Sequence, residues 1–310
     1  MDDRILGIYA GKRVLVTGAG GFLGKHVCRA LEQVGAVVIR NTVDLLDMTD
    51  VGIDHKADLL IHLAADVRGS SANSTQPYRF FYNNALMSLG AINLALAEHC
   101  PIVAAGSVCA YPVDAPLPFW EPSLWDGKPE RSNLGYGYAK RFLAAGLECC
   151  AMQHGLPYAH LISANLYGPG DNFGSDAHVI PDLIKRFHHA KADNLPSVTA
   201  WGSGLPTRDF LYVEDAADAY LYAGSHLLKG GIHIDMNISS GVSTSIKEIA
   251  EIIACEVGFD GEIVFDKAKP DGQMARSIDN GNASILLSWM PTVSLLVGIE
   301  RTYQWYKERM

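Results

Sequence analysis

The chain has 310 residues, of which 48% are hydrophobic and 19% charged, and its net charge is −9. That is enough apolar side chain to build a large core, in one large or two joined domains, and it excludes a disordered chain. The acidic balance excludes a general nucleic-acid binder, which needs a basic face to displace counterions. No apolar run reaches the ~18–20 residues of a membrane span, so no membrane partner is expected.

The opening stretch MDDRILGIYAGKRVLV begins acidic and runs directly into a strand pattern, with neither a basic leader nor a cleavage site. A cytoplasmic protein is therefore expected. The six cysteines (Cys28, Cys100, Cys109, Cys149, Cys150 and Cys255) include no C-x-x-C pair and no zinc spacing. Reduced, mostly buried thiols and no bound metal follow from that, with Cys109 set apart below.

Residues 13–17 form a short apolar strand, followed by a glycine turn and a helix over 22–34. Residues 36–39 are a β-branched run, and 58–63 (DLLIHL) a third strand ending at Ala64, Ala65 and Asp66. A long helix over 78–99, a strand over 102–105, a helix over 133–154 and a strand over 158–163 come next. The alternation predicts an α/β fold, a Rossmann-type doubly wound parallel sheet with helices on both faces. Beyond Asn165 a turn-rich loop (167–172) leads into a helical period reaching 191. Ser245 and Glu248 form an S-x-x-E capping box before an amphipathic helix over 246–257. Residues 266–274 read as a loop and 294–308 as a last helix. This C-terminal part reads as a smaller substrate-binding lobe with the ligand between it and the sheet.

Gly18, Gly21 and Gly24, with Gly20 in addition, lie between the first strand and its helix. A turn without Cβ atoms lets a pyrophosphate approach the backbone, and the helix start offers free N–H groups and partial positive charge. The expected dinucleotide contacts are Gly18, Gly21, Phe22, Leu23 and Gly24, with Leu63, Ala64 and Ala65 at the end of the third strand. Arg40 ends the second strand, where an acid would suit the ribose 2′-OH of NAD and an arginine suits a 2′-phosphate. NADP(H) is thus the expected cofactor, a solvated Arg40 being the alternative. Asp47 is a candidate for the adenine end, or simply a surface turn. The cofactor domain is expected over 1–165 plus about 207–240, and the substrate lobe over about 166–206 plus 241–310.

Tyr136 and Lys140 are four residues apart in a helix and share a face. A phenol ordinarily titrates near pH ~10, and a neighbouring ammonium is expected to bring it toward neutrality. Ser107, just past the fourth strand, can bond the same substrate oxygen, so the three suit proton donation to a carbonyl whose carbon receives a hydride. Tyr136 and Lys140 are also expected against the cofactor. Tyr138 has no Lys or Arg at the same spacing and reads as packing.

These residues resemble the extended short-chain dehydrogenase/reductase family, and within it the fucose-synthase group of GDP-4-keto-6-deoxy-mannose epimerase/reductases. The resemblance is concentrated from about Ser107 onward. It rests on Ser107-Val-Cys109-Ala-Tyr111-Pro112, Tyr136-x-x-x-Lys140, NLYGPGDNF from Asn165, and HVIP from His178. WGSG from Trp201, RDFL from Arg208 and KPDG from Lys269 extend it. It implies that Cys109 is a base and His178 an acid in epimerisation beside a 4-keto group, with His178 also near the cofactor. It further implies sugar-nucleotide contacts at Asn165, Trp201, Arg208 and Lys269, with Lys185 and Arg186 adding positive charge. A nucleotide diphosphate-sugar is the implied substrate, GDP favoured as its base. A homodimer through the helices at 78–99 and 133–154 is implied as well.

The glycine loop TGAGGFLG and the segment 66–73 (DVRGSSAN) depart from that group's usual sequences. Four alternatives stay open: a sister enzyme on another 4-keto nucleotide sugar such as a heptose, colitose or antibiotic deoxysugar precursor, a 4-ketoreductase without epimerisation or a 4-epimerase retaining NAD on another nucleotide sugar, and a non-catalytic NADP sensor. The sensor has no need of Ser107, Tyr136 and Lys140 together.

Overall fold

The computed structural model describes residues 3–42, 44–46 and 55–309, and Asp47 lies outside them. The first element corrects the sequence reading: a helix, α1 (Asp3–Tyr9), precedes the first strand. The buried Tyr9 anchors it by donating its hydroxyl to the carbonyl of Leu221, 2.7 Å away.

The chain then alternates as β1 (Arg13–Thr17), α2 (Phe22–Gln33), β2 (Val37–Arg40), β3 (Leu59–His62), α3 (Ser70–Thr75), α4 (Pro77–Ala97), β4 (Ile102–Ala105), α5 (Leu134–His154), β5 (Tyr158–Ser163) and β6 (Asn165–Tyr167). It continues as α6 (Val179–Ala192), β7 (Ser197–Trp201), β8 (Thr207–Tyr212), α7 (Val213–Leu228) and β9 (Ile234–Ile238). The last elements are β10 (Ser243–Ser245), α8 (Ile246–Val257), β11 (Glu262–Asp266), β12 (Ala275–Arg276) and α9 (Leu295–Lys307).

Among the described residues, one six-stranded sheet runs β2-β1-β3-β4-β5-β9, parallel throughout. Its strands are apolar on both sides because helices cover both faces. Val14, Val16, Leu59 and Ile61 enter one core with α2 and α7, while Leu15, Leu60 and Ile102 enter another beneath α4 and α5. The strand order reverses between β1 and β3, and the crevice beyond the carboxyl ends of two such strands is where open α/β sheets bind ligands.

A second sheet is built around β8, which pairs in parallel with β6 and β12 and antiparallel with β10. A separate parallel pair, β7 with β11, lies beside it. Ile184 and Phe187 of α6, Ile249 and Ile253 of α8 and Ile299 of α9 share its core. The expected capping box closes α8: Ser245 accepts from the Glu248 N–H, and the Glu248 carboxylate accepts from the Ser245 N–H. No helix among the described residues is long and apolar enough to cross a membrane.

Candidate active site

Backbone, not side chain, shapes the cofactor side. Gly18 takes a positive φ of 68° at the end of β1. A Cβ there would stand 2.6 Å from the Ala64 nitrogen, and one at Gly24 2.1 Å from the Gly18 oxygen. The end of β1, the end of β3 and the start of α2 are therefore in direct contact, which brings Gly18, Gly24, Leu63 and Ala64 together. Gly21 precedes α2, Phe22 and Leu23 are its first residues, and no side chain caps it. Its first N–H groups are thus available to a phosphate. A Cβ at Gly20 would meet nothing within 4 Å, so the cradle is open on that side. Such a cradle fits the pyrophosphate of a dinucleotide.

Thr17 ties the two strand ends by accepting from Leu63 N (3.2 Å) and Ala64 N (3.3 Å), and its hydroxyl lies 2.8 Å from His62 Nδ1. Burial, helped by the Lys140 charge, pushes His62 down to about 3 and keeps it neutral. Ala65 follows half-buried. Arg40 is exposed at the end of β2 and bonds Glu32 at 2.6 Å.

Ser107 lies two residues past β4 and opens a short 3-10 turn over Val108–Ala110, its Oγ accepting from Cys109 N at 3.2 Å. Helix α5 holds this turn. Arg141 donates to the carbonyls of Ala110 (2.6 Å) and Gly127 (2.5 Å), and a Cβ at Gly137 would stand 2.6 Å from the Cys109 oxygen. From the same helix the Tyr136 phenol comes within reach of the Ser107 side chain. Lys140 Nζ stands 5.6 Å from the Tyr136 ring centre. Ser107, Cys109, Tyr136 and Lys140 thus form one cluster, as expected.

The electrostatics correct the expectation for Tyr136. Burial and the neighbouring Cys109 hold its phenol above the ordinary range, and Ser107 only partly offsets them. Lys140 does not reverse this because it is itself desolvated, down to about 8, and donates to the Ala105 carbonyl at 2.7 Å. Tyr136 therefore carries its proton at neutral pH, the form a proton donor needs.

The second lobe supplies another predicted group. Trp201 is exposed at the end of β7, with Lys269 Nζ 5.4 Å and the Arg186 guanidinium 5.8 Å from its ring centre. Asp271 joins the two motifs by accepting from Ser203 N (2.6 Å) and Ser203 Oγ (2.8 Å). An exposed indole with two cations near its ring suits a flat aromatic base near a phosphate. Lys185 instead pins the loop before α6, donating to the carbonyls of Phe173 and Gly174. Asn165 donates to the Asp209 carbonyl across to β8 at 2.9 Å.

His178 directly precedes α6. The loop before it leans on the first lobe, with Arg68 and Asp176 3.8 Å apart. Solvent reaches the His178 ring, yet the protein crowding it pushes its pKa below the usual value. Among the described residues the ring makes no hydrogen bond or ion pair, so the structure places His178 at the seam and joins it to neither cluster.

Two residues went unnoticed in the sequence. Arg276 on β12 is buried, and its Nη1 lies 3.5 Å from the Cys109 sulfur. His26 bonds the Pro169 carbonyl at 2.8 Å and so ties α2 to the NLYGPGDNF loop. Neither stands in a spacing that marks it, although His26 shares the glycine-loop helix. All six cysteines are free, but Cys149 and Cys255 are exposed, against the expectation of burial.

The model of the NAD dependent epimerase/dehydratase family matches residues 14–239, and the chain belongs to that family, the extended short-chain dehydrogenases/reductases. The chain is 38% identical to a probable GDP-L-fucose synthase 1 of Oryza sativa subsp. japonica, over 97% of this chain and 93% of that one. Within the family it belongs to the branch of GDP-sugar epimerase/reductases. Its fold is similar to a GDP-6-OMe-4-keto-L-xylo-heptose reductase from C. jejuni, with TM-score 0.88 and 27% identity, covering 97% of this chain and 99% of that one. A GDP-L-fucose synthetase from Naegleria fowleri bound to NADP matches with TM-score 0.83 and 26% identity, over 96% and 95% of the two chains.

Proposed function

We propose that this protein is an NADPH-dependent epimerase/reductase of a GDP-4-keto-6-deoxy sugar, exchanging protons at C3, C5 or both and then reducing C4. The observation that carries the reading is the cluster of Ser107, Tyr136, Lys140 and Cys109 at the end of β4, beside a glycine cradle. Gly18, Gly21, Phe22, Leu23, Gly24, Leu63, Ala64 and Ala65 hold the dinucleotide, and exposed Arg40 exchanges Glu32 for its 2′-phosphate. The nicotinamide nucleotide, when bound, supplies the hydride for C4.

The other steps belong to the chain. A 4-keto group acidifies the neighbouring C–H bonds, and Cys109 as thiolate takes one proton while the electron pair moves into the carbonyl as an enolate. His178 returns a proton to the opposite face of the ring. Its lowered pKa leaves it largely neutral alone, and the negative charge of the diphosphate and the enolate draws a proton onto it. Ser107 then holds the C4 oxygen while protonated Tyr136 donates to it, and Lys140 restores the proton balance of Tyr136.

Trp201, Arg186 and Lys269 receive the nucleotide, and Arg208 the diphosphate through its planar donor fork. Asn165 sets the strand beneath the sugar. The cofactor part covers residues 1–165 plus about 207–240 and the sugar part about 166–206 plus 241–310, with β8 as the seam. The exposed Tyr78, Phe81 and Tyr82 of α4 and Phe142 and Met152 of α5 fit a homodimer through those helices, in the cytoplasm.

The likeness to the C. jejuni reductase favours a second reading, C4 reduction without epimerisation. Incubation with NADPH and GDP-4-keto-6-deoxy-mannose in heavy water, followed by product mass, separates the two. NADPH oxidation with one or two solvent deuteriums retained at carbon supports epimerisation. Oxidation without deuterium selects the plain reductase. No turnover on this sugar, with turnover on a heptose analogue, moves the substrate.

A further inference from the structure

Cys109 is asked to remove a proton from carbon, which a thiolate does and a thiol does not. A thiolate beside the half-buried Tyr136 needs a cation, and the sheet of the second lobe brings one. Arg276 pairs with Arg208 across β12 and β8, so the two guanidinium groups start from neighbouring positions. Arg276 Nε donates to Gln273 Oε1 at 2.8 Å, which turns the guanidinium so that Nη1 reaches the Cys109 sulfur at 3.5 Å. Its Nη2 stands 4.0 Å from Glu130.

Arg276 from β12 faces this sulfur, Arg208 from β8 and Tyr136 from α5 feel its charge, Glu130 lies behind Arg276 and Asp271 acts on Arg208. Arg208 feels both Arg276 and Cys109, and burial with the Arg276 charge lowers it to about 10. Two cations close enough to repel one another are better tolerated near a negative sulfur.

We propose that Arg276 is the positioning residue that keeps Cys109 in its thiolate form, which leaves Arg208 to the substrate diphosphate. This rests on the reading of Cys109 as the epimerisation base. Toward the reaction, Arg276 acts through the sulfur alone. It donates a hydrogen bond to S⁻, weakens when Cys109 takes the substrate proton, and re-forms when that proton leaves to solvent.

The test is the rate at which iodoacetamide alkylates Cys109, followed by mass spectrometry of its peptide across pH. The background is Cys149→Ser/Cys255→Ser, which removes the two exposed thiols. Arg276→Met is expected to slow alkylation of Cys109 at pH 7 about tenfold and move the profile to higher pH, with Arg276→Lys in between. Solvent deuterium entering the sugar is expected to fall in step, with NADPH affinity unchanged. If Arg276→Met does not fold, Gln273→Leu removes the acceptor that aims the guanidinium, together with the exposed bond from Gln273 Nε2 to the Val113 carbonyl, and is expected to give a smaller shift of the same sign.

Unchanged alkylation in folded Arg276→Met overturns the proposal. Unchanged alkylation with a raised KM for the GDP-sugar overturns it too, and makes Arg276 a diphosphate ligand. Failure of the underlying reading has a different signature, because Cys109→Ser would then keep deuterium exchange. That result removes the catalytic part of the proposal whatever the alkylation shows.

Discussion

On the proposed reading, the two halves of this molecule hold their ligands by different means. The cofactor half is made of backbone: β1, β3 and α2 meet at Gly18 and Gly24 with no room for a methyl group. On that reading the sugar half is made of side chains, an exposed indole with two cations near its ring and an arginine against a thiol. A backbone site is rigid and tolerates no added atom at its packed glycines. A side-chain site tolerates substitution and loses binding in proportion to what is removed.

The largest effect should come from breaking the backbone half. Gly24→Ala puts a methyl 2.1 Å from the Gly18 oxygen, and neither α2 nor the turn can move without leaving β3. The expected outcome is little soluble protein and no measurable NADPH binding, since forced overpacking costs about 1–3 kcal/mol or more. Gly20→Ala meets only open space. It should keep its thermal midpoint and weaken NADPH binding about tenfold, because the new methyl occupies the open side of the phosphate cradle. A Gly20→Ala protein that unfolds like Gly24→Ala would erase the distinction between packing and binding glycines.

The side-chain half should yield more gently. Trp201→Ala is expected to raise KM for the GDP-sugar about 10- to 50-fold, since an aromatic platform under a base is worth about 1–3 kcal/mol. Its kcat should stay within about threefold, because Trp201 contributes uniform binding and no transition-state contact. Steady-state kinetics with saturating NADPH decide this. A fall in kcat at constant KM would move Trp201 from the nucleotide to the reacting carbon.

The same contrast explains what could be read from the sequence. Strands buried on both faces are plain apolar runs, and 102–105 and 158–163 match β4 and β5 end for end. The Ser245 capping box likewise marks the start of α8. The second lobe is harder because its strands carry function. In β8, half-buried Arg208 feels the charge of Cys109 and the Asp209 carboxylate accepts from Ser240 and Gly241, so the strand shows no clean alternation. Helix α7 stays hidden because its buried alanines face the core on too many sides to leave a polar stripe. In the site, motifs bring out Tyr136, Lys140, Trp201 and Lys269, whereas Arg276 depends on a partner 167 positions away and has no local mark.

The smallest effect tests the junction between the halves. Asp171, in the loop after β6, is buried and accepts from Asn172 N through Oδ1 at 2.7 Å, while Oδ2 is buried without a partner. Burial raises its carboxyl to about 7. A carboxyl whose folded pKa lies above its unfolded value binds its proton more tightly when folded. Its ionisation therefore removes stability as pH rises from the ordinary carboxylate range through about 7. Asp171→Asn keeps an acceptor for Asn172 N and cannot ionise. It should be more stable than the parent by about 1–3 kcal/mol at pH 8 and nearly equal to it at pH 4, read as a thermal midpoint a few degrees higher. Equal midpoints at pH 8 would mean that Asp171 ionises freely, and that the loop joining the lobes opens to water far more readily than the glycine cradle beside it.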